Sequence, residues 1–309
     1  MGFWDVPSPS SVAIYEKPAL LLQAKVLTWR KCYMGLAQIS GFWYIAVITT
    51  ALFSIIYPLV TAFFIQRKWN VSWKYFLFGV LIFFLFQVVT RIPAVEVITY
   101  FLNPALKKSL ALQLWFIAGL ALTAGLFEET GRYVCFRWFM RKEPKTWEKA
   151  VMYGAGHGGL EAILLVGVGN IITAINVYAV QLLPISQLSA SARDQLHAQF
   201  AAIAAEPVWE PLLGSWERLF TLMIQIGFSV LVAQVFIRGQ IRWYWLAVAL
   251  HFVVDFVSAA APALFGSGVT VIICIELFIG VFGAAMVWVV FRLKNISAPA
   301  GDLPIESAP

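Results

Sequence analysis

The feature that most limits what this chain can fold into is a series of apolar runs, each about as long as a lipid bilayer is thick. A helix needs about 20 mostly apolar residues to cross the hydrocarbon layer. Runs of about this length lie at Gly41–Phe64, Lys74–Thr90, Ala111–Trp138, Val151–Val180, Glu217–Ile237, Trp243–Ala260 and Val269–Phe291. They lack the strict alternation of a membrane barrel. In lipid the backbone must satisfy its own polar groups, which leaves helices. Composition agrees: 61% of the 309 residues are hydrophobic, 12% are charged, and the mean hydropathy is +0.81. A soluble domain is about a quarter charged. The expected fold class is therefore all-α, a polytopic transmembrane helical bundle of about seven spans.

The expected organisation is an N-terminal interfacial segment over 1–40, one transmembrane domain over 41–292 and a disordered tail over 293–309, rich in Ser, Pro and Ala. Pro18–Tyr33 mixes apolar residues with Lys25, Arg30 and Lys31, as a helix lying flat on a membrane surface does. The longest polar connection, Gln181–Ser215, reads as a surface hairpin or lid. No cleavable signal pattern opens the chain, and no internal repeat is evident. Eleven Lys and Arg fall on the side of the C-terminus and eight on the other, which places the N-terminus outside and the C-terminus inside. The net charge of +6 suits basic loops at a membrane and does not imply nucleic acid. The three cysteines show no CxxC spacing, and Cys135 reads as a small buried filler.

Chemistry-bearing residues sit inside these spans at helical spacing. Glu128, Glu129 and Arg132 follow one apolar run and precede another, and Arg132 lies three and four residues from the two acids. Charges at bilayer depth cost about 2.5–3.5 kcal/mol each on insertion scales, so three together imply either a site or a structural ion-pair knot. In Gly154-Ala155-Gly156-His157-Gly158-Gly159-Leu160-Glu161, His157 and Glu161 share a helical face. The glycines weaken the helix and permit close approach of another helix or of a peptide. His251 and Asp255 repeat the i,i+4 spacing in the sixth span, where the acid can orient the imidazole or simply hydrogen-bond to it. These faces, on the third, fourth and sixth spans, are expected to converge on one pocket. Such a pocket can activate water directly, or through a divalent metal held by Glu and His. Glu217-Arg218, Gln225 and Ser229 follow one face of the fifth span and read as lining or packing residues. Glu276 stands alone in the seventh. There is no HExxH, no phosphate loop ending in GK[ST], and Phe265-Gly266-Ser267-Gly268 lacks the first glycine of a GxSG serine-protease motif.

Together, Glu128-Glu129-x-x-Arg132, Gly156-His157-Gly158-Gly159-x-Glu161, Glu217-Arg218, His251-x-x-x-Asp255 and the second-span ending Phe86–Pro93 resemble the YhfC family of bacterial intramembrane metalloproteases. That family is similar in layout to the CAAX-type and bacteriocin-processing membrane proteases. The resemblance implies an intramembrane peptidase acting on a membrane-embedded or membrane-proximal peptide, among membrane lipids, in a bacterial cytoplasmic membrane. It implies that Glu128 or Glu129 activates water and that Arg132 fixes the acid pair. His157 and His251 then bind a divalent metal such as zinc, with Glu128, or stabilise the oxyanion, while Asp255 orients His251. Glu161 belongs to the same block. Three differences stand out: the Glu-Glu to Arg132 spacing is one residue shorter than in the CAAX-type enzymes, Asp255 replaces an Asn common in them, and Gln225 stands where the YhfC pattern often has His. A proton- or cation-coupled transporter or channel, and a membrane scaffold without chemistry, are the other classes that such intramembrane charges allow.

Overall fold

The structure is a computed structural model, and it describes residues 36–183 and 185–294. The interfacial reading of Pro18–Tyr33 and the tail from Asn295 lie outside the described residues. Among those residues there is no strand. Seven helices are long and apolar enough to cross a membrane: Gly41–Trp69, Trp73–Leu106, Leu110–Phe139, Trp147–Gln181, Glu210–Arg238, Arg242–Phe265 and Val269–Lys294. They are called the first to seventh spans below.

The second span is longer than the sequence suggests. It runs through Pro93 and Pro104 to Leu106, where apolar periodicity alone ends it at Thr90. A proline removes an N–H and crowds the carbonyl four residues back. Here a π-helical stretch, Phe84–Arg91, precedes Pro93, and the widened turn lets the helix continue. The longer helix also takes Arg91 out of the loops, where the charge count had put it. Two further π stretches, Cys135–Phe139 and Ala162–Val168, follow within a few residues of Arg132 and Glu161. Such insertions re-aim the side chains of a helix and recur near functional sites.

The chain divides into two compact units, residues 1–45 with 172–210 and residues 46–171 with 211–309. In the first, the expected polar connection holds a helix, Ala190–Ala205, started by Ser189, whose Oγ accepts from Ala192 N at 3.2 Å. Tyr44 Oη donates to Gln181 Oε1 at 3.1 Å in the same unit. The second unit carries the polar residues singled out above.

Within the second unit the fifth span is the central element. Its most apolar window is 72% buried, against 17–39% for the other six spans. The glycine-rich block packs the fourth span between two neighbours. A Cβ on Gly156 would lie 2.0 Å from Phe76 O of the second span. One on Gly154 would lie 2.6 Å from Ile226 Cα of the fifth, and one on Gly158 would lie 2.7 Å from Gln225 Cβ. The glycines therefore serve close helix approach, the first of the two uses the sequence leaves open. His157, between them, is driven into the interior and is 0% exposed. The outward faces carry large exposed apolar residues such as Phe64, Trp115 and Trp288, the surface that lipid covers.

Candidate active site

The third span supplies the centre. Glu128, Glu129 and Arg132 occupy its buried face at 5%, 0% and 0% exposure. Arg132 Nη1 donates to Glu129 Oε1 at 2.6 Å, and Nη2 lies 3.4 Å from Glu128 Oε2. Both helical pairings read from the spacing are therefore made. The guanidinium has further partners on the fifth span: Nε donates to Ser229 Oγ at 3.1 Å, and Nη2 donates to Gln225 Oε1. All three nitrogens of this buried cation thus have acceptors, as a dry site requires.

Two imidazoles close on the acid pair. His157 Nε2 is 3.0 Å from Glu128 Oε2, and its ring meets Phe83 edge-on at 5.1 Å. His251 Nδ1 is 2.8 Å from Glu129 Oε1, and its ring stacks on Phe228 at 4.8 Å and 16°. With a carboxylate as acceptor, Nδ1 of His251 carries the hydrogen, so its Nε2 turns toward the remaining acids. That nitrogen lies 3.9 Å from Glu128 Oε2 and 3.6 Å from Asp255 Oδ2. Asp255 is therefore not the hydrogen-bonded orienter of His251. Glu129 and the Phe228 ring orient it, because Nδ1 meets Glu129 while Nε2 stands between Glu128 and Asp255.

The site reaches beyond the three spans expected to enclose it. From the second span, Gln87 Nε2 donates to Glu128 Oε1 at 2.7 Å, and Arg91 Nη1 donates to Gln87 Oε1 at 3.3 Å. From the fifth, Gln225 Nε2 donates to Glu128 Oε2 at 3.2 Å and to Glu161 Oε2 at 2.6 Å. Glu161 also accepts from Arg218 Nη1 at 3.1 Å. All seven predicted residues thus belong to one connected polar set. Gln87 was missed as a site residue, although a lone amide within Phe84–Val89 is itself a signal. Exposure rises outward: the side chains of Glu129, Arg132 and His157 are 0% exposed, those of Glu161, Glu217 and Asp255 are 15%, 33% and 38%. Acids so placed in a span are stable where water reaches them, which marks that end of the set as the wet one.

As arranged, these groups do not form a metal cage. Among the described residues no three His, Cys, Asp or Glu side chains are placed to hold one ion. Glu128 Oε2 already faces the Gln225 amide and the Arg132 guanidinium, a cation that opposes a second one beside it. A metal-bound imidazole donates its other N–H to an acceptor, and His157 Nδ1, which is buried, has none. His157, His251 and Glu128 are hence better described as a hydrogen-bonded acid–imidazole set than as ligands.

Comparison with known proteins agrees on the family. Residues 53–279 match the family described as YhfC intramembrane metalloprotease. Over 196 residues, 63% of this chain and 75% of the other, the chain is 32% identical to the "Uncharacterized membrane protein YhfC" of Bacillus subtilis (strain 168). No solved structure matches. The matched segment spans the acid pair, both intramembrane histidines and Gln225, and the chain belongs to the YhfC intramembrane metalloprotease family.

Proposed function

We propose that this integral membrane protein is a peptidase that hydrolyses a peptide bond in or near the bilayer, with Glu128 as the base that activates water. One observation carries the reading. Glu128 Oε2 stands 3.0 Å from His157 Nε2 and 3.9 Å from His251 Nε2, so one buried carboxylate lies between the two intramembrane imidazoles. Water admitted from the more exposed Asp255 side would meet a base and an imidazole there.

In this reading Glu128 takes a proton from the water, and the hydroxide adds to the scissile carbonyl carbon. His251, held at Nδ1 by Glu129 and carrying a second proton on Nε2, stabilises the oxyanion through Nε2–H, while His157 Nε2–H holds Glu128. Collapse breaks the C–N bond, and the proton held by Glu128 passes to the leaving nitrogen. Glu129 and Arg132 do not touch substrate: they hold His251 and Glu128 in place. Asp255 helps seat the water. No step is routed through a metal. The orientation with the N-terminus outside and the C-terminus inside, in a bacterial cytoplasmic membrane, belongs to the same reading. It is supported by the excess of Lys and Arg in and beside the loops on the C-terminal side.

The test is cleavage by the reconstituted full-length protein of a mixture of hydrophobic peptides, followed by mass spectrometry. Wild type is expected to give discrete new termini. Glu128→Gln, a near-isosteric change, is expected to lower the rate by about 10²–10⁴-fold, the range for losing a general base. His157→Ala and His251→Ala are also expected to abolish cleavage, while Cys135→Ala and Ser267→Ala cleave normally. Equal cleavage by wild type and all of the Glu128 and His variants would remove the peptidase reading and favour a transporter.

A further inference from the structure

The catalytic set leaves one group of buried charges unused. On the wet side of Gln225, Arg218 of the fifth span pairs with Glu161 at 3.1 Å and with Glu217. Glu276 of the seventh span is buried beside the start of the fifth. Trp216 Nε1 donates to the Glu276 carbonyl at 3.0 Å, which fixes this turn of the seventh span against the start of the fifth. Three carboxyl groups and one cation therefore make up this cluster.

Its hydrogen bonding is incomplete in a specific way. Glu276 is only 8% exposed, and its Oε2 has no partner among the described residues. Arg218 is 7% exposed, and its Nε is likewise without an acceptor. One enclosed acceptor and one enclosed donor remain without partners, beside two further carboxyl groups. A ligand that completes both is a cation that also carries a carbonyl.

We propose that Glu161, Glu217, Arg218 and Glu276 form a subsite for a basic side chain, arginine or lysine, of the peptide cut at Glu128. This rests on the peptidase reading above and names its substrate class. The basic group pairs with Glu276 and Glu217, and a backbone carbonyl of the same peptide accepts from Arg218 Nε. A metal ion is a poorer occupant. It needs its ligands converging at about 2 Å, and no three acidic, His or Cys side chains converge in that way among the described residues. A guanidinium spreads its donors over a plane and reaches carboxylates that stand apart, as Arg218 itself does between Glu161 and Glu217. Glu217, with a side chain 33% exposed, gives the entry. The subsite lies close to the scissile position, because a single amide nitrogen, Gln225 Nε2, contacts both Glu161 and Glu128.

The experiment uses the full-length protein in detergent and fluorescein-labelled Leu/Ala-rich peptides carrying one central Arg, Lys or Gln. Binding is read by anisotropy and cleavage of the same peptides by mass spectrometry. The Arg and Lys peptides are expected to bind about tenfold or more tightly than the Gln peptide, as for a buried charge pair. That preference is expected to vanish in Glu276→Gln and to fall in Glu217→Gln, which at its more exposed position tests the subsite even if Glu276→Gln fails to fold. Equal binding of all three peptides by wild type overturns the proposal. So does a preference that survives both substitutions, which would leave Glu276 as a neutral packing residue. Cleavage without a basic preference removes the subsite and keeps the peptidase. Preference without any cleavage removes the peptidase reading, and the substrate subsite with it.

Discussion

Two buried arginines stand on either side of Gln225, and they are held differently. Arg132 has an acceptor for each of its three nitrogens, drawn from its own helix and from the fifth span, and it is 0% exposed. Arg218 meets two carboxylates whose side chains are 15% and 33% exposed, and its Nε has no acceptor. A cation saturated on every side cannot exchange partners without leaving buried charge uncompensated. A cation with an open donor and half-wet acids can. The difference separates an anchor, around which the acids and imidazoles are set, from a place where a ligand can be received.

The comparison breaks most sharply at Arg132. Arg132→Ala leaves Glu128 and Glu129 buried without their cation and is expected to cost about 3–5 kcal/mol. Folded yield and thermal unfolding in detergent check this. Unchanged stability with full activity would mean that the pair is neither coupled nor dry. Gly156→Ala is expected to come next. Its Cβ would meet Phe76 O at 2.0 Å, backbone against backbone, so the fourth span must move. An overpacking loss of about 1–3 kcal/mol or more follows. His157 shifts away from Glu128, so cleavage should fall further than the stability loss explains. Gly119→Ala, with nothing within 4 Å, is the control that should leave both properties intact.

Arg218→Ala sharpens the contrast from the other side. Its acids are the more exposed ones, so a loss of about 1.5–3 kcal/mol is expected, the scale of hydrogen bonds to charged groups. If Arg218→Ala destabilises as strongly as Arg132→Ala, the two arginines are equivalent anchors and the distinction fails. The smallest expected effect belongs to chelators. With no step through a metal, cleavage after prolonged EDTA treatment should match the untreated enzyme within assay error. Loss that Zn²⁺ restores would instead place an ion among His157, His251 and Glu128.

Helix periodicity within a single span was legible without any structure. The chain's apolar runs mark seven spans, and i,i+3 and i,i+4 spacing joins Glu128, Glu129 and Arg132 on one helix. The same rule reads His157 with Glu161, and His251 with Asp255, because 3.6 residues per turn is a local property. That the glycines around His157 mark a close approach was also legible, though the backbones that approach were not.

What the spacing could not supply is the rotation of one helix against another. His251 and Asp255 share a face, yet the ring bonds to Glu129 across a helix interface, and Asp255 stands 3.6 Å from the other nitrogen. Gln87 joins Glu128 across 41 positions of sequence, and Gln225 joins it across 97. The π stretch before Pro93 sets where Gln87 and Arg91 point, and no residue pattern announces it. The sequence alone determined that the chain lies in a membrane as helices and which side chains are too costly to leave in lipid. Only the tertiary structure decided which of them meet, because a partner on another helix depends on crossing points and rotations that backbone contact at glycines fixes.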